Sequence, residues 1–191
     1  MSLRLGNLGR GALSLAVVGA LGLGGLLAMR ALTAERIVEQ QRASTLRALA
    51  VLLPKEYDND PQADRIDVVA PAWLGSEDAL AVRRARNDGR VEALLLEAVA
   101  PDGYNGDIRL LVGVDARGRV IGVRVVEHRE TPGLGDPIEI ARGPWITGFD
   151  GRSLRDPAAD AWRVRRDSGA FDQLAGATIT PRAVVGAVRR A

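Results

Sequence analysis

The chain has 191 residues, 47% of them apolar and 26% charged, enough for one buried core of ordinary size and an appendage. It has no cysteine and one histidine. That excludes disulfides, thiolate metal sites, iron–sulfur ligation and a cysteine nucleophile, so any redox role needs an external cofactor. The formal net charge is +2, but Arg4, Arg10 and Arg30 stand in the first thirty residues without an acid, leaving 31–191 at −1. The body alternates arginine with acid and lacks the basic footprint that nucleic-acid binding needs.

The first element is "GALSLAVVGALGLGGLLAM", Gly11 to Met29, uncharged and bounded by Arg10 and Arg30. At about 1.5 Å per residue it reaches roughly 28 Å, close to the thickness of a bilayer core, and predicts a transmembrane helix over about 11–29. The competing reading is a cleaved signal peptide, with Ala31 to Ala34 as small-residue cleavage candidates. Arginines lie on both sides of the segment, so the positive-inside rule leaves its orientation open. Residues 31–53 lack Gly and Pro. Leu46, Leu49, Ala50 and Leu53 recur there at helical spacing, predicting a helical stalk that Pro54 stops. The turn-rich "PKEYDNDPQAD" then opens a linker that runs to Trp73. The expected organisation is an anchor over 1–30, a stalk and linker over 31–73, and a globular domain over 74–191.

Strand signals in the domain come in pairs. "ALAVRRAR" and "RVEALLLEAVA" flank Asn87-Asp88-Gly89, a strong hairpin signal. "IRLLVGVD" and "RVIGVRVVE" flank "ARG", where Gly118 supplies the positive φ of a tight loop. "AWRVRR" is a short fifth candidate. "PRAVVGAVRRA" reads as a helix with Pro181 at its first position, Thr180 as N-cap, and Arg189 and Arg190 at its C-terminus. The pattern predicts an α+β fold, an antiparallel sheet packed by helices. There is no GxGxxG after a strand and no P-loop.

Two loops stand out. "HRETPGLGDP", His128 to Pro137, holds Gly133 and Gly135 between Pro132 and Pro137, a rigid turn whose backbone either approaches a ligand closely or merely closes a strand. Nothing in the sequence places a carboxylate or hydroxyl relay against the His128 ring, so acid–base hydrolysis has little support. The second loop is "DQLAGATIT", residues 172–180. The cap role accounts for Thr180 and leaves Thr178 without a structural explanation. Thr178 stands two residues before the expected helix start, where free N–H groups and the helix dipole favour an anion such as a phosphate.

"DQLAGATIT" is similar to the Asp-x-x-Ser/Thr-Gly-Ala-Thr motif to which a flavin transferase attaches FMN. "HRETPGLGD", "GYNGDIRLLVGVD" and "LLPKEYDND" resemble the G-subunit (RnfG) family of the Rnf electron-transport complex. The FMN-carrying C-subunit of sodium-translocating NADH:quinone reductase shares the general plan. The resemblance implies FMN bound covalently through a phosphoester to Thr178. It implies a cofactor site of Glu130, Thr131, Gly133, Leu134 and Gly135 from the first loop and Asp172, Gly176, Ala177, Thr178 and Thr180 from the second. It further implies electron transfer among membrane and Fe–S subunits of a complex coupling NADH–ferredoxin electron flow to ion transport. The soluble domain would then lie on the extracytoplasmic side of the cytoplasmic membrane, and a flavin transferase would mature it. One position departs from the motif: Ala175 stands where Ser or Thr is usual. Two rival readings stay open, a membrane-tethered binding module without cofactor and a regulatory FMN protein outside an Rnf complex.

Overall fold

The computed structural model describes residues 13, 15–27, 29, 30 and 51–191. The chain divides into two units between Ser44 and Thr45. In the first, residues 15–27 are helical and Leu15, Val17, Val18, Leu21, Leu23, Leu26 and Leu27 are all exposed. Among the described residues no helix is long and apolar enough to cross a membrane. Residues 11, 12, 14 and 28 of the expected span, and 31–50 of the expected stalk, lie outside the described residues.

The second unit is an α+β domain. Its five antiparallel strands lie in chain order across one sheet: β1 (Arg65–Val68), β2 (Leu80–Asn87), β3 (Arg90–Ala100), β4 (Ile108–Asp115) and β5 (Val120–Glu127). Both predicted hairpins form. Asp88 and Gly89 sit at φ +49° and +73°, the double positive φ of a type I′ turn, and Gly118 sits at φ +74°. A short helix, α1 (Pro71–Leu74), precedes β2, and a long one, α2 (Ile179–Arg190), ends the chain.

Two expectations fail here. The segment "AWRVRR" is not a strand: it contributes to 3-10 turns at Ala159–Ala161 and Arg165–Asp167. The fifth strand is β1, from the stretch read as linker, and it pairs with β2 from Arg65↔Arg83 to Val68↔Leu80. Its two apolar side chains are too few for a periodic signal. Polar contacts order the segment before it: the Asp58 and Arg86 backbones bond at 2.8 Å, Asn59 Nδ2 donates to the Arg84 carbonyl at 2.9 Å, and Asp64 pairs with Arg84 and Arg86.

One face of the sheet carries the main core. Cross-strand neighbours Leu96↔Val112, Ala98↔Leu110 and Ala100↔Ile108 are all buried on it. The buried stripe of α2, including Ala183, Val184, Ala187 and Val188, packs in the same cluster. Phe149 lies at its centre, with ring centroids 4.7 Å from Phe171, 5.6 Å from Trp145 and 6.1 Å from Trp162. The opposite face holds a smaller cluster of Leu52, Leu95 and Leu111. Leu52 reaches the sheet because Gly113 and Gly122 face each other across β4 and β5. A Cβ at Gly113 would sit 2.5 Å from the Leu52 carbonyl oxygen, and one at Gly122 would sit 2.9 Å from Leu52 Cδ2.

Gly113→Ala should therefore displace Leu52 and cost about 1–3 kcal/mol, the usual scale of overpacking. Urea denaturation measures the loss, and proteolysis near residues 51–54 should quicken in parallel. An unchanged midpoint would show that Leu52 does not hold its segment to the sheet.

Candidate functional site

The loop after β5 and the first turn of α2 enclose a cleft of about 380 Å³, within the usual range of small-molecule sites. Of the ten residues singled out in the sequence, Glu130, Thr131, Leu134, Gly135, Gly176, Ala177, Thr178 and Thr180 line it. Two separate sequence loops thus become one surface. The cleft also takes Tyr104 and Ile179, which the sequence reading missed. Both are substantially exposed, Tyr104 at 65%. An aromatic flanked by Gly103 and Gly106 in the β3–β4 loop was the available signal for Tyr104.

The floor is polar and buried. Glu130 is only 5% exposed and Thr180 1%. The Thr180 hydroxyl donates a short hydrogen bond to Glu130 Oε2, and the Asn105 backbone N–H donates to Oε1 at 3.0 Å. Each carboxylate oxygen thus has a donor, the condition under which a carboxylate can be kept from water. Gly135 is packed against this pair. A Cβ there would lie 2.8 Å from Glu130 Cβ and 3.1 Å from Thr180 Oγ1. The chain can close over the pair only with glycine at this position.

This geometry corrects the reading of Thr180 as helix cap. The helix begins at Ile179, its N-cap position is Thr178, and no side chain caps it. Pro181 is accordingly the third helical residue. The Thr180 hydroxyl turns inward to Glu130 instead, fifty residues away in sequence, and a local pattern cannot reveal so distant a partner. Thr178 stands half-buried at the cleft, with Oγ1 within 3.4 Å of Arg166 Nη1.

The remaining two singled-out residues lie outside the lining. Gly133, at φ +78°, shapes the loop, and its N–H donates to the buried Asp136 carboxylate at 2.6 Å. Asp172 accepts from Trp145 Nε1 through its carbonyl at 2.7 Å, and its carboxylate pairs with Arg165 at 3.0 Å. Asp172 therefore ties the start of the second loop to the aromatic core. From there Leu174 to Ala177 forms a turn, closed by an N–H bond at 3.2 Å, with Gly176 at φ +78° in its third position. That is the position where a type II turn requires positive φ. Ala175 is exposed at the corner of this turn.

His128 has a structural role. Its Nδ1 accepts the Glu130 N–H at 3.0 Å and its Nε2 lies 2.5 Å from Glu139 Oε1. An accepting Nδ1 puts the ring proton of the neutral imidazole on Nε2, directed at Glu139. The ring thereby braces Glu130 from the backbone side and does not line the cleft.

Thr180→Val preserves shape and removes the donor to Glu130. It should cost about 1–3 kcal/mol, the penalty of leaving a buried acceptor partly unsatisfied. Equilibrium unfolding of this variant beside Thr180→Ser, which keeps the hydroxyl, measures the difference. Equal stability of the two variants would remove the hydrogen bond as a determinant.

Residues 103–191 match the family described as FMN-binding domain. The chain is similar to the G-subunit of the ion-translocating oxidoreductase complex of Pseudomonas aeruginosa (strain UCBPP-PA14), 51% identical over 183 residues that cover 95% of this chain and 86% of the relative. The G-subunit of Vibrio cholerae serotype O1 (strain M66-2) is 45% identical, covering 87% of this chain and 80% of the relative. That of Shewanella amazonensis (strain ATCC BAA-1098 / SB2B) is 46% identical, covering 83% and 74%. With the cleft built from the loops that carry the motif, and with identity of this level over nearly the whole chain, the chain belongs to the G-subunit (RnfG) family of ion-translocating oxidoreductase complexes.

Proposed function

We propose that the chain is an electron-transfer subunit that carries FMN on Thr178, within an ion-translocating oxidoreductase complex of the Rnf type. The observation that carries this reading is the placement of the Thr178 hydroxyl at the N-terminus of α2, on the rim of a cleft inside the FMN-binding domain match. FMN, when held, supplies the capacity to accept and pass on electrons that a chain without cysteine lacks.

The residues fit that group. Thr178 offers a hydroxyl for a phosphoester, formed with net loss of water between Oγ1 and the phosphate. The N-terminal turn of α2 presents free backbone N–H groups and the positive end of its dipole to the same point. Gly176 and Ala177 place no bulk beside it. Leu134, Tyr104 and Ile179 offer apolar surface for a flat ring, and the Glu130–Thr180 pair forms the polar floor. Ala175 is exposed, so the hydroxyl absent there leaves no buried group unpaired. A covalent link suits a carrier open to solvent, because the cofactor is not lost by dissociation.

The uncharged segment 11–29 is proposed as a membrane anchor, with the FMN domain on the extracytoplasmic side and the other membrane and Fe–S subunits as its partners. A flavin transferase is the proposed maturation partner. The full chain should remain with membranes through carbonate extraction, whereas a chain starting near Ala34 should be soluble. Recovery of the intact full-length chain in the soluble fraction overturns the anchor.

Covalent attachment is tested by intact mass after co-expression with a flavin transferase. The wild-type chain should gain the mass of FMN less water, Thr178→Ala should gain none, and Thr178→Ser should retain part of the loading. Ultraviolet fluorescence of the denatured gel band should follow the same order. A chain with no bound flavin favours a cofactor-free binding module, and FMN mapped by peptide mass spectrometry to Thr180 moves the attachment point.

A further inference from the structure

We propose that the Arg166 guanidinium is the counter-charge for the phosphate carried at Thr178. This assignment rests on the covalent reading above and adds to it a residue outside the flavin-attachment motif.

Three arginines, Arg165, Arg166 and Arg182, stand near the start of α2, and two of them are already engaged. Arg165 Nε lies 3.0 Å from Asp172 Oδ1. Arg182 grips Asp167 with two bonds, at 2.6 and 2.9 Å. That grip, with the charges of Arg182, Arg166 and Arg163 around it, holds the Asp167 carboxyl below the usual carboxylate range. Arg166 makes no ion pair within 4 Å among the described residues, acting on Asp167 only through its charge, and its head reaches Thr178 Oγ1 at 3.4 Å. Its backbone is oriented independently of that contact. Arg165–Asp167 is a single 3-10 turn closed by Ser168 at φ +62°, and the Arg166 N–H donates to Gln173 Oε1 at 3.3 Å. Consecutive residues of such a turn point apart, which sends Arg165 to Asp172 and Arg166 to Thr178.

A neutral threonine hydroxyl has no need of a cation. One long, exposed hydrogen bond contributes little to stability, so the arrangement has no evident structural purpose. A phosphodiester changes the balance. It carries one full negative charge, whereas the N-terminus of a helix offers roughly half of a positive one. A guanidinium beside Oγ1 supplies the remainder. It stays protonated throughout the physiological range and matches phosphate oxygens with its planar fork.

The test uses the full chain, purified in detergent after co-expression with a flavin transferase, as wild type, Arg166→Gln, Arg166→Lys and Arg165→Gln. Early loading is read by intact mass, and the loaded fraction by the 31P resonance of the phosphodiester. Arg166→Gln should slow loading by about two- to fivefold, the range of an exposed charge pair, and shift the 31P resonance. Arg166→Lys should recover part of the loading, and Arg165→Gln should leave both readouts at the wild-type value. If Arg166→Gln abolishes loading, recovery by Arg166→Lys supports the charge assignment and failure to recover overturns it. A loaded Arg166→Gln chain with an unchanged 31P resonance overturns the assignment even where loading is slow, because the arginine then serves the transferase and not the phosphate. An equal shift in Arg165→Gln also overturns it. A wild-type chain that gains no FMN mass is a separate failure: it overturns the Thr178 reading, and the role of Arg166 falls with it.

Discussion

A buried hydrogen bond between Thr180 and Glu130 holds the two halves of the cleft together. Glu130 belongs to the loop that leaves β5 and Thr180 to the first turn of α2. A carboxylate removed from water is costly unless each oxygen meets a donor. Here the hydroxyl and the Asn105 N–H fill that requirement, and His128 fixes the Glu130 backbone from behind. The demand constrains everything nearby. Gly135 must lack a side chain because the pair occupies the space where a Cβ would stand. Thr178, two residues from Thr180 along the same turn, is thereby set on the cleft rim.

The remainder of the domain serves as a rigid support for that junction. The main core presses α2 against the sheet, and the aromatic group around Phe149 fixes the approach to α2. Trp145 holds the Asp172 carbonyl, so the loop before α2 leaves the core from a defined point. On the other face, Leu52 fits over the paired Gly113 and Gly122 and ties the segment before β1 to β4 and β5. A cleft built on such elements is held in shape by its supports.

Charge is distributed with similar economy. The domain is close to neutral, and most arginines near the cleft have a carboxylate partner. Exposed pairs of this kind add little stability, often less than about 1 kcal/mol each. Their effect here is on availability: by engaging Arg165 and Arg182 they leave Arg166 as the cation facing Thr178.

Local chemistry made much of the architecture legible. The Asn87-Asp88-Gly89 and Ala116-Arg117-Gly118 turns determine two hairpins because few residue pairs tolerate positive φ, and the apolar runs of β2 to β5 mark them as buried strands. The terminal helix and the two loops that line the cleft were equally visible. The strand Arg65–Val68 was not, since four residues ordered by Asp64, Arg84 and Arg86 carry no periodic signal. The segment "AWRVRR" misled for the converse reason: its alternation bridges two 3-10 turns, between which Trp162 and Val164 are buried in the main core. The sequence by itself determined the secondary elements and the motif that names the family, because turns and periodicity act over a few residues. Only the tertiary structure decided that Thr180 faces Glu130 and that Arg166, not Arg165, faces Thr178. Those choices depend on partners distant in the chain, which the packing of the sheet, the loop and the helix brings within hydrogen-bond reach.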